Sequence, residues 1–249
     1  MKILHLDIET APATAAIWGI WKENIGINQL LSAGYVMCWS AKWHGEPASS
    51  IRFDSVMKSS PKAMLGGIHR LLGESDAVVH YYGSSFDIPT LNKEFVTHGM
   101  RPPAPYKQID LCDVVKRKFK FISAKLDYVA SHLGLGEKVR HPGFELWAKC
   151  MARDVEAWKL MEKYNKQDVL LTEKLYNRLL PWIDGHPSHA TIGGYPCCPN
   201  CGSEKVKRSG FAYTAQFKYQ RFECLDCGKW YRSNSSETRQ KVRVTGLAS

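Results

Sequence analysis

Short runs of strand-forming residues fill the first half of the chain, and an apolar stripe at helical spacing marks its later part. Alternation and branched residues predict a strand at residues 3–8, and further strand-like runs predict strands at residues 35–43, 49–56, 76–83 and 108–115. Helical spacing, with start and stop residues, predicts helices at residues 59–73, 87–99, 124–134 and 154–182. This order of elements predicts an α/β domain with a mixed sheet, whose first three strands form an antiparallel meander.

A change in composition divides the chain. We expect the α/β domain at residues 1–184, followed by a linker rich in Gly, Pro, Ser and His at residues 185–192. The later pattern predicts a small all-β domain at residues 193–232 and a basic, polar tail at residues 233–249.

The chain is basic, and its charge is unevenly distributed. It has 249 residues and a formal net charge of +10, and residues 185–249 hold ten Lys and Arg against four Asp and Glu. A basic excess favours a polyanionic partner, although many basic proteins bind none. No apolar run approaches the ~18–20 residues of a membrane span, and acids interrupt the N-terminal segment too early for a secretory signal. We therefore expect an intracellular protein with no membrane partner.

The segment LHLDIET, residues 4–10, places two acids on one face of the first predicted strand. Asp7 and Glu9 are two residues apart, so their side chains point the same way, and like charges side by side repel. On a solvated edge strand such a pair would have no function. The apolar flanking residues instead indicate a central strand. Acids at the end of such a strand need cations, and a divalent metal with carboxylate ligands supplies them.

Further acids occur where a metal site would need them. Asp87 lies at a junction of strand and helix, where capping is the ordinary role. Asp168 follows Tyr164 by four residues on a predicted helix, so the two share a face. The order Asp-x-Glu, Phe-Asp and Tyr-x-x-x-Asp resembles the DEDD exonuclease family, tyrosine subclass. KLDYVASHLGLG and YNKQDVLLTEKLYNRLLPW are similar to phage and bacterial exonucleases related to the family B polymerase proofreading domain.

This resemblance covers about residues 1–183 and implies a ribonuclease H-like fold. It implies a site that holds two Mg²⁺ or Mn²⁺ ions on Asp7, Glu9, Asp87 and Asp168, with Tyr164 orienting the attacking water. The implied activity is 3′–5′ exonuclease hydrolysis by a two-metal-ion mechanism, which releases nucleoside 5′-monophosphates. The implied substrate is a single-stranded 3′ end, of DNA more than RNA. The implied setting is the cytoplasm of a bacterial cell or a phage-infected host.

Substrate contacts depend on weaker signals. The resemblance places the terminal nucleotide at the backbone of Thr10 and Ala11, and it includes Phe86 in the Phe-Asp motif. Lys125, just ahead of a predicted helix, is either a phosphate contact or a solvated lysine.

The residues outside the matched motifs include one departure from the family pattern, two tryptophans of uncertain placement and four acids. Tyr82 and Gly83 occupy positions where the family usually has Asn, which leaves the metal site intact but puts in doubt how this loop holds substrate. Trp18 and Trp21 are predicted to pack in the core, with base stacking as the alternative. Four other acids are expected outside the metal site, with the last of them as a helix cap: Asp110, Asp113, Asp127 and Asp154.

Five of the eight cysteines cluster late in the chain. CPNCG at residues 198–202 and CLDCG at residues 224–228 are two C-x-x-C knuckles, each followed by Gly. Four thiolates on two tight turns predict a tetrahedral, structural Zn²⁺ site, because disulfides are rare in the cytosol. The predicted ligands are Cys198, Cys201, Cys224 and Cys227, with Cys197 as a bystander. A domain this small can hardly bury its own core, so zinc would contribute much of its folding free energy.

Between the knuckles, residues 205–222 interleave Lys and Arg with Phe and Tyr. This pattern favours nucleic-acid binding through phosphate contacts and base stacking, although the aromatics can equally form the ribbon's small core. A polymerase or replication protein is the alternative partner of the ribbon. Two other functions also remain open: a trans-acting proofreading subunit of a separate polymerase, and a catalytically inert nucleic-acid-binding protein.

Overall fold

The computed structural model describes residues 1–190 and 197–237. It divides into two compact units, Met1–Asn177 and Arg178–Ser249. The last part of the predicted linker, the start of the predicted ribbon and most of the predicted tail lie outside the described residues. The predicted domain boundaries stay predictions.

The first unit contains seven strands among its described elements, all in residues 1–110. They are β1 (Ile3–Thr10), β2 (Thr14–Ala15), β3 (Leu30–Ser32), β4 (Val36–Trp43), β5 (Arg52–Ser55), β6 (Ala77–His80) and β7 (Lys107–Asp110). The helices are α1 (Pro61–Glu74), α2 (Asp87–Thr97), α3 (Leu111–Lys118), α4 (Leu126–His132), α5 (Phe144–Met151) and α6 (Val155–Leu179). A 3₁₀ turn, Leu180–Trp182, follows α6. Among the described residues, no helix combines the length and the apolar character needed to cross a membrane.

Strand β1 is the centre of a five-stranded mixed sheet with the order β5-β4-β1-β6-β7. β4 pairs antiparallel with both β1 and β5, and β6 runs parallel to β1 and β7. The predicted meander of the three main N-terminal strands is therefore confirmed, with the short β2–β3 pair inserted after β1. The predicted class, a mixed sheet flanked by helices, is also confirmed.

Two buried clusters pack the sheet against different helices. Leu4, Leu6 and Ile8 belong to a buried cluster with side chains of α1 and α2. A second cluster joins β4 to α5 and α6, and includes Met37 and Met161. Because side chains alternate along a strand, Asp7 and Glu9 point to the face opposite that of Leu6 and Ile8.

Several helix ends follow from local sequence. The side chain of Ser60 accepts a hydrogen bond from the amide of Ala63 at the start of α1, and Pro61 is the first helical residue. Gly99 adopts a φ of 68° just after α2, a conformation that favours glycine.

Three predictions were incomplete or wrong. The segment predicted as a strand at 108–115 changes to helix α3 after Asp110, because the Asp110 carboxylate accepts the amide hydrogen of Cys112 and caps that helix. Helix α5 was not predicted. The predicted core packing of Trp18 and Trp21 is wrong, since their side chains are 99% and 83% exposed.

The second unit contains an antiparallel three-stranded sheet among its described residues. Its strands are β8 (Val206–Tyr213), β9 (Lys218–Cys224) and β10 (Trp230–Ser236), in the order β10-β9-β8. The predicted all-β character is confirmed. Strand β10 continues beyond residue 232, where the ribbon was predicted to end.

Candidate active site

Three predicted acids converge beside the central strand. Asp7 and Glu9 come from β1, and Asp168 comes from α6. One carboxylate oxygen from each lies within 4.8 Å of the others. Asp168 is only 2% exposed, so this negative charge is concentrated where water is scarce.

Asp87 is tied to the same strand through the backbone. It is the first residue of α2, and its Oδ1 accepts a hydrogen bond from the Ile8 amide over 3.1 Å. Ile8 is the strand residue between Asp7 and Glu9. The structure thus brings all four predicted acids to one stretch of β1, although Asp87 lies outside the group whose oxygens fall within 4.8 Å.

Two residues that contact these acids were not predicted from the sequence. Asn165 is fully buried on α6, and its Nδ2 donates to Asp7 Oδ2 over 2.6 Å. Lys138, in the connection between α4 and α5, donates through Nζ to Asp168 Oδ2 over 2.6 Å and to the Tyr164 hydroxyl over 3.2 Å. Asn165 had a usable signal, because it lies three residues before Asp168 on the same helix. Lys138 lies in a segment without periodicity and had none.

The acids perturb one another's pKa values. Burial raises the pKa of Asp7 well above its usual range, and the charges of Asp168, Asp87 and Glu9 raise it further. Burial, then repulsion from Asp168, raises the pKa of Glu9 to about 8. Burial raises the pKa of Asp87 to about 6, and it also raises the pKa of Asp168 despite the opposing charge of Lys138. The folded protein therefore disfavours four free carboxylates, which a bound cation would reverse.

Tyr164 lies beside these acids with its ring held by aromatic neighbours. The ring packs edge-on against His141 and Trp147, at centroid distances of 4.8 and 6.1 Å. Burial, together with the charges of Asp168 and Glu9, raises the pKa of the Tyr164 hydroxyl. The hydroxyl consequently keeps its proton near neutral pH and can act as a hydrogen-bond donor.

The residues present fit a divalent metal. The donors are carboxylate oxygens, which Mg²⁺ and Mn²⁺ prefer. Asp168 Oδ1 is buried and, within residues 1–190 and 197–237, has no hydrogen-bond partner. A buried carboxylate oxygen without a partner is costly unless a cation compensates it.

A cleft of ≈ 780 Å³ opens beside Asp7 and Tyr164. Three lysines line it: Lys116, Lys125 and Lys138. Tyr82 also lines it, with its ring half exposed and the Lys116 ammonium 5.1 Å from the ring centroid. Cations and an exposed ring beside a carboxylate cluster are the features expected of a channel for a nucleic-acid strand.

Asp110 supports the loop that leads to Asp87. Its Oδ1 accepts the Tyr82 amide over 2.9 Å, and its Oδ2 accepts the Ser84 amide over 3.1 Å. Burial acts to raise the pKa of Asp110, but the hydrogen bond with His80 and these amides outweigh it and lower that pKa to about 2. Tyr82 adopts a φ of 67°, which is unusual for a residue other than glycine.

The other three acids that were expected outside the metal site are not members of the carboxylate group formed by Asp7, Glu9 and Asp168. Asp154 accepts the Ala157 amide over 2.8 Å and so caps α6, as predicted. Asp127 accepts the Lys138 amide over 3.2 Å, and Asp113 is exposed on α3.

The four predicted substrate contacts differ in their exposure to solvent. Phe86 and Lys125 are exposed, at the starts of α2 and α4. Thr10 is the last residue of β1, and the register between β1 and β4 shifts between Glu9 and Thr10. Ala11 is buried, and its amide already donates to the Tyr35 carbonyl over 2.8 Å. The four assignments stay predictions.

The second unit gathers the four predicted zinc cysteines. One sulfur from each of Cys198, Cys201, Cys224 and Cys227 lies within 4.8 Å of the others, and Cys197 is not in the group. The Cys198–Cys227 and Cys201–Cys224 sulfurs are 3.7 and 3.6 Å apart. Tetrahedral Zn²⁺ with Zn–S bonds of ~2.3 Å needs sulfurs about 3.8 Å apart, so the donor set fits zinc.

Comparisons with known proteins agree with the fold. A family model described as the RNase H superfamily matches residues 42–180, more than half of the chain. The chain belongs to the RNase H superfamily. The matched residues include Asp87, Tyr164 and Asp168, while the acids of β1 precede them. RNase H-like nucleases use divalent metals, which agrees with the acidic cluster described above. No curated protein matches the sequence.

A solved structure shows a related fold. The family B DNA polymerase from the hyperthermophilic archaeon Pyrobaculum calidifontis is similar over 72% of this RNase H superfamily chain, with a TM-score of 0.52 and 17% sequence identity. The similar part is 24% of the polymerase chain, so this protein spans about a quarter of it. At this identity the likeness concerns the fold alone.

Proposed function

We propose that the first unit is a metal-dependent 3′–5′ exonuclease. It would remove nucleoside 5′-monophosphates from the 3′ end of single-stranded nucleic acid, DNA more than RNA. The observation that supports this most is the convergence of Asp7, Glu9 and Asp168 beside the backbone-held Asp87. Membership of the RNase H superfamily supports a nuclease independently of that geometry.

Asp7, Glu9, Asp87 and Asp168 would hold two Mg²⁺ or Mn²⁺ ions. When bound, such ions supply positive charge and Lewis acidity to the attacking water, the scissile phosphate and the leaving oxygen. Asn165 would keep the Asp7 carboxylate in one orientation, because its amide holds Oδ2. The Ile8 amide would do the same for Asp87.

Tyr164 and Lys138 would act on the reacting groups. The protonated Tyr164 hydroxyl would orient the attacking water by a hydrogen bond, rather than accept a proton from it. The Lys138 ammonium would donate to an oxygen of the scissile phosphate, because it already lies within hydrogen-bond distance of Tyr164 and Asp168. Burial opposes the charge on Lys138, but Asp168 and Tyr164 outweigh it and raise the pKa of Lys138, so the ammonium stays charged.

The reaction is a simple displacement at phosphorus. The oxygen of water forms a bond to the terminal phosphorus, and the bond from that phosphorus to the 3′ oxygen of the preceding nucleotide breaks. The proton of water is released to solvent, and the 3′ oxygen takes up a proton as the shortened strand leaves. The products are a 5′-monophosphate and a strand with a new 3′ hydroxyl, which can enter the next cycle.

The cleft beside Asp7 would admit the strand. Lys116 and Lys125 line it and can contact phosphates, and the exposed ring of Tyr82 can stack on a base. Phe86, half exposed at the start of α2, offers a second ring one residue before Asp87. These contacts favour a flexible single strand, because bases within a duplex are not free to stack on protein rings.

The second unit would be a zinc ribbon that binds nucleic acid or a replication protein. Two alternative functions stand beside this proposal. In the first, the exonuclease acts as a trans-acting proofreading subunit of a separate polymerase; in the second, the protein binds nucleic acid without cleaving it.

Matched DNA and RNA oligonucleotides, labelled at either the 5′ or the 3′ end, test the proposal. With Mg²⁺ or Mn²⁺, a 5′ label should give a ladder that shortens by one nucleotide at a time, and a 3′ label should appear at once as a mononucleotide. A circular single strand should stay intact. Cleavage of the circle would indicate an endonuclease instead, and cleavage that needs an added polymerase would indicate a proofreading subunit.

A further inference from the structure

The sheet of the second unit has two unlike faces. On one face, Phe222 is buried and stacks on Tyr231 with ring centroids 5.3 Å apart, on the same side of β9 as Cys224. This is the side that carries the small core and one zinc cysteine. Side chains alternate along β9, so Arg221 and Tyr219 belong to the other face.

Four side chains of that other face form a connected group, which we call the arginine face: Tyr219, Arg221, Trp230 and Arg232. The guanidinium carbon of Arg221 lies 5.1 Å from the centroid of Trp230, and that of Arg232 lies 3.8 Å from the centroid of Tyr219. Arg221, Trp230 and Arg232 are all exposed. Arg221 thus lies over the exposed ring of Trp230, and Arg232 lies over the half-buried ring of Tyr219.

The two arginines are direct neighbours across the sheet. Arg221 of β9 is paired in register with Arg232 of β10. Like charges directly opposite each other destabilise a sheet. Within residues 1–190 and 197–237, neither guanidinium forms an ion pair with an acid. Glu223 is on the same face, but its register partners are Lys207 and Trp230. An anion bound between the two guanidiniums would remove this repulsion.

Arg221 is held in place rather than loose. Its Nε donates to the Ser209 carbonyl over 2.9 Å, at a point where β8 departs from regular pairing. Gly210 adopts a φ of 67° there, and a Cβ at this position would lie 3.3 Å from Arg221 Nη2. The bulge therefore makes room for the guanidinium and fixes its plane, which reduces the entropy lost on binding.

We propose that the arginine face is a binding site for single-stranded nucleic acid. The paired guanidiniums contact adjacent phosphates, since arginine forms planar, bidentate bonds with them. Trp230 and Tyr219 flank these cations and stack on bases. An acidic polypeptide would satisfy the guanidiniums but not the rings, so the combination selects a ligand that carries both phosphates and bases. The site rests on the nucleic-acid role proposed for the second unit, shares no residue with the carboxylate cluster and does not depend on the nuclease assignment.

The test measures binding of the full-length chain to a 5′-labelled oligothymidylate of about 12 nucleotides by fluorescence anisotropy across salt concentrations. An Asp7→Ala background keeps the oligonucleotide intact, and gel analysis of the same samples verifies this. A phosphorothioate strand of the same sequence is measured in parallel, so the binding comparison holds even if the first strand is degraded, which would count against the nuclease assignment alone.

The variants separate charge from stacking. Arg221→Ala/Arg232→Ala should weaken binding at least about tenfold and reduce the slope of log K against log salt by about 1.4, for two phosphates on a single strand. Trp230→Ala should weaken binding about tenfold and leave the salt slope unchanged. Arg221→Lys/Arg232→Lys should keep the slope and bind about threefold more weakly, because lysine keeps the charge but not the planar fork.

A matched control removes the same charge elsewhere. Lys205→Ala/Arg208→Ala takes two charges from outside the arginine face, since Arg208 is in register with Phe222 and Lys205 pairs with Asp226. This control should bind the oligonucleotide as tightly as the parent does.

Three outcomes would contradict the proposal. An equal loss of affinity in the control would show that net charge alone causes the effect, and it would overturn the site. Unchanged binding in the arginine double variant would also overturn it. Displacement of the strand by polyglutamate at equal charge, with no effect of Trp230→Ala, would assign the face to acidic proteins instead. A ¹H–¹⁵N spectrum of each variant verifies that the sheet is folded.

Discussion

The amide of Asn165 donates to the carboxylate of Asp7 over 2.6 Å, across 158 positions of sequence. This bond joins helix α6 to the central strand at the point where acidic charge is densest. It fixes one oxygen of Asp7 and leaves the other for a different partner. Residues that orient metal ligands in this way commonly contribute 10–100-fold in metal affinity or activity.

We therefore expect Asn165→Ala to lower turnover about tenfold and to raise the Mg²⁺ concentration needed for half-maximal activity. The physical reason is that a hydrogen bond to a charged group, worth about 1.5–3 kcal/mol, no longer holds Asp7. Initial rates measured over a range of Mg²⁺ concentrations check this. Asn177→Ala removes an exposed amide from the same helix and should leave both quantities unchanged. A fall in turnover without any change in metal dependence would contradict the positioning role.

Asp7→Ala should abolish cleavage while the protein stays folded. Burial and three neighbouring acids raise the pKa of Asp7, so ionising its carboxyl group destabilises the folded state when no metal is present. The melting temperature measured without divalent metal should accordingly be equal to or higher than that of the parent. Asp113→Ala removes an exposed acid and serves as the matched control. Retention of more than about 5% of the parental rate would exclude Asp7 from the site, since general catalytic groups contribute at least ~10².

Tyr164→Phe should lower turnover about 10–100-fold and leave metal dependence unchanged. The substitution keeps the ring that packs on His141 and Trp147 and removes only the hydroxyl. Because the pKa of that hydroxyl is raised, the parent should show no rise in rate attributable to tyrosine ionisation as the pH approaches 10. Single-turnover rates from pH 7 to about 10 provide the measurement. Equal single-turnover rates in parent and variant would remove Tyr164 from the chemistry.

The convergence of the acids of β1 with Asp168 could be predicted from the sequence, because two acids in an otherwise apolar strand are unusual. Two carboxylates among residues that make both faces of a strand apolar require a cation, and the order of Asp87, Tyr164 and Asp168 supplied the remaining members. Lys138 could not be identified. It lies in an irregular connection, which long-range hydrogen bonds hold: the Lys138 amide donates to Asp127 of α4, and Gln167 of α6 donates to the Glu137 carbonyl.

Other parts of the fold depended on tertiary contacts that a sequence pattern does not contain. The run of residues 108–115 was predicted as one strand, yet Leu111–Lys118 forms α3, because the Asp110 carboxylate caps it. Trp18 and Trp21 have the composition of core residues, but the β2–β3 insertion that carries them extends their rings into solvent. Hydrophobicity alone therefore gave the wrong burial for these two side chains.

Asp110 should make folding stability depend on acid pH. Its folded pKa of about 2 lies below the usual 3.8, so its contribution is present above pH ~4 and is lost as the pH falls towards 2. A shift of this size corresponds to about 2 kcal/mol. The free energy of unfolding of the parent should exceed that of Asp110→Asn by about this amount at pH 5, and the difference should shrink near pH 2.5. Urea unfolding of both proteins at the two pH values tests this, and a difference that stays constant with pH would assign the loss to packing alone.

Cys198→Ser should unfold the zinc ribbon and spare the first unit. The four sulfurs are arranged for a tetrahedral ion, and a segment with so few buried apolar side chains needs the ion to fold. The first unit has two buried hydrophobic clusters of its own. Cys197→Ser is a matched control, because Cys197 is adjacent in sequence but does not belong to the four-cysteine group.

Zinc content, measured on the purified full-length proteins, should fall towards zero per chain in Cys198→Ser and stay at one in Cys197→Ser. Dispersed ¹H–¹⁵N signals of residues 206–236 should be lost only in Cys198→Ser, while turnover of a saturating short oligonucleotide should persist in both. Full retention of zinc by Cys198→Ser, or equal loss in Cys197→Ser, would show that the metal is held by a different set of sulfurs.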